Sequence, residues 1–281
     1  MNGNRLNRRS LYVVATLWCL CSFSSAYTQD LPYRFHPGMR ISKMRPPTIR
    51  QLSGLMRELV FFSGLDLKVD HNGSIHYEHE LPELAGSAIA RELLATAIGG
   101  PDSFTVESAN HSPQIAFAQI ESILDYTDRE NQRATEWVIR IDFADFAQLR
   151  GDTAVLKTFS PGTNLLHELI HAILKLPDPA GPSDRLGPCE RYLNLIRAEL
   201  GLPLRQNYFP KNRIARTPES LSQILQGELT FTHEDPKLKN AKHSSLTFDL
   251  ARIVDPKKVR SDRSLPPDLV ALSSRLPIQK R

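Results

Sequence analysis

The sequence predicts an α+β domain: a mixed sheet with an edge strand over a buried, chemistry-bearing helix, and a β-hairpin near the C-terminus. Three observations lead there. Short stretches that alternate in polarity mark strands, and stretches of helical period lie between them. Asn72-Gly73 separates two of the alternating stretches, which is the strongest short-range signal for a hairpin. Residues 161–174 are apolar nearly all round, the pattern of a helix sunk in a core.

Taken in order, residues 1–26 read as a secretory signal. Arg5, Arg8 and Arg9 give a positive start, residues 11–23 an apolar run, and Ser24-Ser25-Ala26 small residues for cleavage. The run is short for a membrane span and no second one follows, so a soluble chain, secreted or periplasmic after cleavage, is expected. The roughly 250 residues beyond it suffice for one sizeable core. Residues 27–215 are expected to form the main domain, 216–254 a C-terminal helix and hairpin, and 255–281 a basic tail without periodicity.

Within the domain, residues 47–61 read as a helix, and 65–69 with 75–79 as the strands around Asn72-Gly73. His71, His76 and His79 in that hairpin are polar surface positions, since alternation sends His76 and His79 to opposite faces. Residues 83–97 form an amphipathic helix closed by Gly99-Gly100-Pro101. Residues 104–108, 115–120 and 136–143 are strands, and 228–232 with 246–253 make the late hairpin. Ser160-Pro161 starts the apolar helix, by cap and by proline at its first position, and Pro177 and Pro179 stop it.

That helix carries His167-Glu168-Leu169-Ile170-His171. Histidines four apart project from one face, one turn apart, so both imidazoles can reach one zinc ion. Glu168 lies about 100° round the helix, beside the position of a metal-held water. Core histidines bonded to carbonyls would explain neither the glutamate nor the spacing. A zinc site of this kind needs a third ligand and one open position. Downstream stand Asp178, Asp184, Cys189, Glu190 and Glu199. Leu174 and Pro177 occupy the places where HExxHxxGxxH needs its glycine and third histidine. Residues 188–200 read as the next helix, with Pro188 at its start and Gly201 past its end. On it Glu190, Asn194 and Arg197 share a narrow arc flanked by Leu193, Ile196 and Leu200, while Glu199 points away. Glu190 is therefore the expected third ligand, with Asn194 as its partner one turn on. Asp184 is the next choice and Cys189 the one after.

His167-Glu168-x-x-His171 followed by a glutamate opening the next helix resembles the gluzincin branch of the zincin metallopeptidases. The run Asn194-x-x-Arg197-x-Glu199-Leu200-Gly201-Leu202-Pro203-x-Arg205-x-x-Tyr208 is similar to the segment after the motif in bacterial effector-type metallopeptidases. An Arg-x-x-Tyr pair, here Arg205 and Tyr208, is also similar to one in the clostridial neurotoxin proteases. The resemblance spans roughly residues 136–209. It implies a zincin-like fold in which the strand ahead of the motif edges the cleft, and a peptide or protein substrate. It also implies that Arg205 and Tyr208 stabilise the tetrahedral intermediate. Gluzincins often carry an aspartate where this chain has Asn194.

Charge and cysteine content narrow the classes further. Without the three arginines of the first 26 residues the balance is 32 basic against 31 acidic, which leaves no nucleic-acid footprint. Residues 210–281 hold 14 basic and 8 acidic residues, so the excess sits in the C-terminal region. Of three cysteines only Cys189 lies beyond the signal, so stability must come from a core and not from disulfides. The expected activity is peptide-bond hydrolysis by an exported zinc-dependent metallopeptidase with Glu168 as general base. A non-proteolytic zinc-bearing envelope protein and an amidase acting on cell-wall crosslinks are the alternatives.

Overall fold

In the computed structural model, which describes residues 35–250 apart from 83–85, 110–111, 113, 128–132, 218–219 and 234–240, Asp70 closes the first hairpin. Its Oδ1 accepts the amides of Asn72 and Ser74, both at 2.8 Å, and Gly73 takes the left-handed φ of 86° that the turn requires. The expected signal segment 1–26 and tail 255–281 lie outside the described residues, as do residues 83–85 and 251–253 of two expected elements. The chain divides into two compact units, Met1–His36 and Pro37–Arg281. Only Phe35 and His36 of the first are described, and everything below belongs to the second.

Six strands form one sheet: β1 Gly38–Ile41, β2 Leu65–Val69, β3 Ser74–Glu80, β4 Ser103–Ser108, β5 Ala118–Thr127 and β6 Arg133–Ile141. Their order is β2-β3-β1-β4-β6-β5. β1, β4 and β6 run parallel, and the flanking strands are antiparallel, so the sheet is mixed. Helices supply the other side of its core, among them α1 Ile49–Ser63, α2 Ala88–Gly99 and α5 Pro161–Leu169. Their Leu55, Leu59, Phe62, Leu94, Leu165 and Leu166 are buried with Met39, Phe104, Val106, Ile139 and Ile141 of the strands. Each such side chain contributes about 1.5–3 kcal/mol of burial. Alternate residues of the same strands are polar, as in the Arg140 ion pairs with Glu107 and Glu121.

Residues 136–143 were expected to edge the cleft. Instead β6 is an interior strand between β4 and β5, and β5 is the edge. β5 begins later and runs further than residues 115–120. A register shift between Ser122 and Leu124 breaks its alternation, which hides the strand from a period-two reading. β5 is antiparallel to β6, and its N-terminal part packs on α5.

A second sheet has the order β7-β11-β10-β8, with β9 also paired to β10. Its strands are β7 Arg150–Gly151, β8 Leu204–Arg205, β9 Lys211–Thr217, β10 Ser220–His233 and β11 Lys242–Asp249. The expected late hairpin is β10–β11, with Leu229 opposite Leu246. Of the helix expected within 216–254, only Leu250, helical just past β11, falls among the described residues, and 251–254 lie outside them. Residues 223–228 pair with β9 and 226–233 with β11, so partners on both sides hold this stretch extended. Phe117, Val155, Phe159, Phe231, Leu246 and Phe248 form the core beneath this sheet, joined by the short helices α3 Phe143–Ala147 and α4 Thr153–Thr158. The architecture is α+β, and no described helix is long and apolar enough to cross a membrane.

Asp145 of α3 is buried and accepts the amide of Phe117 at 3.0 Å, where the chain turns through a left-handed φ of 64° into β5. Burial pushes its carboxyl up to about 7. Because the folded value lies above the unfolded one, the folded state binds the extra proton between about pH 4 and 7, and this stabilisation is lost as pH rises through about 7. Asp145→Asn keeps an acceptor for Phe117 without the charge. It is expected to raise the melting temperature at pH 8 by a few degrees, with the gain shrinking by pH 5. Thermal melts of both proteins across that range measure it, and a gain independent of pH would show that charge is not the cause.

Candidate functional site

Helix α5 is fixed before it reaches the site. Ser160 and Thr163 form a reciprocal cap, Pro161 takes the first turn, and Glu58 of α1 accepts the Gly162 amide at 2.7 Å. Leu165, Leu166, Leu169 and Ile170 are fully buried, as the all-round apolar pattern requires. The last turn, Ile170–Leu174, widens into a π-helix, a feature that gathers at functional sites. It ends at Lys175, which is left-handed at φ 55° and holds its ammonium 4.4 Å from the centre of the Trp137 ring.

His167 Nε2 and His171 Nε2 lie 3.0 Å apart, and Asp178 Oδ1 lies 3.2 Å from the first and 3.3 Å from the second. These three atoms make a nearly equilateral triangle. Ligands about 2.0–2.1 Å from a tetrahedral zinc stand about 3.3 Å from one another, so the triangle fits such an ion with one position to spare. Asp178 Oδ1 is buried without a hydrogen-bond donor, whereas Oδ2 accepts the Tyr208 hydroxyl at 2.6 Å. On the far side of His171, Nδ1 donates to the Leu176 carbonyl at 2.6 Å, which leaves Nε2 as the lone-pair nitrogen. Three facing acceptor atoms repel one another unless a cation or shared protons lie between them. Electrostatics agree: burial opposes the charged imidazoliums, yet Asp178 and Cys189 draw both histidines up, His171 to about 10. Burial would raise Asp178, but the two histidines hold it well below the usual carboxylate range. His167, His171, Asp178 and Cys189 together form a group that could hold a metal ion.

Asp178 reaches this point because the loop 176–187 folds back on itself. Gly187, at φ 70°, makes that approach: a Cβ there would stand 2.4 Å from Pro179 N. The Cys189 amide donates to the Pro177 carbonyl at 3.1 Å and the Tyr208 amide to the Arg185 carbonyl at 2.6 Å, so the loop is held from both ends. Glu168 is buried beside the group. Burial pushes its carboxyl up, while His167 and His171 pull it back, and the backbone at Ile120 of the edge strand lies close enough to lower it a little further.

Glu190, expected as third ligand, is instead an ion-pair residue. It opens α6 Gly187–Glu199 and is fully buried, with carboxylate oxygens on Arg197 Nη1 and, at 2.9 Å, Arg205 Nη1. A helical arc facing the core could not reveal that two guanidiniums were waiting there. Asn194 is likewise no partner of a metal ligand, because it clamps the Arg205 backbone from both its amide atoms, at 2.9 and 3.0 Å. Asp184 is on the surface, where it pairs with Arg191 and accepts the Gly187 amide. Glu199 accepts the Ser87 hydroxyl at 2.5 Å, away from the site.

Arg205 and Tyr208 part company. All three guanidinium nitrogens of Arg205 donate within the protein, to the Asn207 and Tyr208 carbonyls and to Glu190. These bonds use three of its five N–H groups and tie Arg205 to Glu190 and to backbone carbonyls, and among the described residues no contact brings it to the His167–His171–Asp178 triangle, where a catalytic role would place it. Tyr208 does reach the site: its ring stacks on His167 with centroids 6.2 Å apart, and its hydroxyl holds Asp178. Cys189 is a buried free thiol, 3.4 Å from His167 Nδ1. In comparisons with known proteins, no family model, no curated protein and no solved structure matches the chain.

Proposed function

We propose that this protein is a zinc-dependent metallopeptidase that hydrolyses peptide bonds in an extended chain, with His167, His171 and Asp178 holding the ion and Glu168 as general base. The observation that carries the reading is the triangle of acceptor atoms with Glu168 buried beside it on the same helix. Zinc held there would supply the Lewis acidity that polarises a carbonyl and acidifies water. The residues do the rest. The Leu176 carbonyl fixes His171, and Tyr208 fixes Asp178. Glu168, its carboxyl drawn up by burial, takes the proton of the attacking water and passes it to the leaving amine. The open edge of β5 lies next to Glu168, where an extended substrate would add as a further strand. Export belongs to the same proposal and rests on the composition of residues 1–26.

A second reading is favoured by one observation, the buried Cys189 thiol in the same group. Zinc bound by all four residues would have no open position and would be structural. Metal analysis and a peptide-library digest of wild type and Cys189→Ala separate the two. Near-stoichiometric zinc and peptide cleavage that survive the substitution are expected. Zinc that leaves with the thiol, together with no cleavage by wild type, would favour the structural site.

A further inference from the structure

We infer that Glu190 is the positioning residue of this site: two buried arginines press its carboxylate toward the Nδ1 edge of His167, so that the imidazole aims Nε2 at Asp178 and His171. The inference rests on the metallopeptidase reading and deepens it. The starting point is an expensive arrangement. Glu190 and Arg197 have almost no contact with water, and Arg205 has little. Charges buried this way cost several kcal/mol each before pairing, and apolar side chains of the same size would often be as stable. A core-building role alone therefore does not account for them.

Their placement does. Glu190 Oε2 receives Arg205 on one side and stands 3.5 Å from His167 Nδ1 on the other. His171 is held from behind by the Leu176 carbonyl, which accepts from its Nδ1 at 2.6 Å. His171 Nδ1 thus meets its acceptor at hydrogen-bond distance, and His167 Nδ1 meets the Glu190 carboxylate at ion-pair distance; an acceptor behind each ring favours the proton on Nδ1 and the lone pair on Nε2. The Cys189 thiol also faces His167 Nδ1, but neutral sulfur is a much weaker acceptor than a carboxylate. The arginines hold Glu190 in place, Arg197 Nη1 donating to one carboxylate oxygen and Arg205 Nη1 to the other at 2.9 Å. Asn194 completes the device by binding Arg197 Nη1 at 2.7 Å together with the Arg205 backbone, which locks α6 to β8.

The test uses the full chain and zinc alone, with affinity read by chelator competition and geometry by the absorption spectrum of the cobalt-substituted protein. Glu190→Gln keeps the shape and removes the charge. It is expected to weaken zinc binding about 10- to 100-fold and to change the cobalt spectrum. Glu199→Ala, which loosens the far end of the same helix from Ser87, is expected to lower the melting temperature while leaving both readouts unchanged. Wild-type affinity and spectrum in Glu190→Gln would overturn the inference. Should that variant not fold, histidine nitrogen NMR of the zinc-loaded wild type decides: Nδ1 of His167 protonated supports the inference, and Nδ1 unprotonated overturns it. A wild type that does not retain zinc would sink the metallopeptidase reading itself, whereas tight zinc binding indifferent to Glu190 sinks only the positioning role.

Discussion

Glu168→Gln is expected to fold, melt and hold zinc like the wild type while losing peptidase activity by about 10²- to 10⁴-fold. The substitution keeps size and shape and removes only the ability to accept a proton. Glu168 is off the histidine face by about a quarter turn, so it is not a ligand and its loss should not release the ion. It is also buried, and burial already pushes its carboxyl toward the neutral form, so a neutral amide is tolerated there without an unpaired charge. Zinc content, melting temperature and turnover of a cleaved library peptide, measured on one preparation, give the result. If activity falls only in step with zinc, Glu168 holds the metal site together and the general-base role is lost.

Local signals were legible in the sequence, and long-range pairing was not. The first hairpin, the capped start of α5 and the start of α6 at Pro188 each rest on a few adjacent residues whose backbone needs are specific. The histidine pair is of the same kind, since residues four apart on a helix face one way, and here, with the last turn widened into a π-helix, Nε2 of His167 and His171 meet at 3.0 Å. What failed depended on partners distant in sequence. β6 became interior because β5 pairs outside it, and the bulge at Ser122–Leu124 erased the pattern that would have announced β5. The stretch 220–228 is extended because β9 pairs along it. A carboxylate facing the core, as Glu190 does, needs a cation, and helical periodicity does not say which one. The cations are Arg197 and Arg205, and Arg205 is fifteen residues away and brought in by β8. Asp178 was a candidate with no periodicity to place it, because a proline-rich loop and the left-handed Gly187 set its position.

Asp178→Ala is expected to empty the metal site, and this substitution separates the observed third ligand from the one expected on helical periodicity. Two neutral imidazoles would remain, without the carboxylate that supplies the only negative charge in the triangle. Purified Asp178→Ala should carry little zinc, and its melting temperature should fall to that of chelator-treated wild type and stop responding to added zinc, since binding to the folded state no longer contributes stability. The fold itself should survive. Asp178 is part-exposed at the lip of the site, and its hydrogen bonds go to Tyr208 and toward the two histidines, not to the core. Tyr208→Phe removes only the donor to Oδ2, so it should weaken zinc binding about tenfold and leave the site able to fill. Asp184→Ala removes a surface pair with Arg191 and should leave zinc content unchanged. Zinc that stays in Asp178→Ala but leaves in Asp184→Ala would show that the loop 176–187 rearranges around the ion, and the triangle seen here would then not be the binding site. Zinc that stays in both would transfer the third position to Cys189, whose thiol is the remaining member of the group.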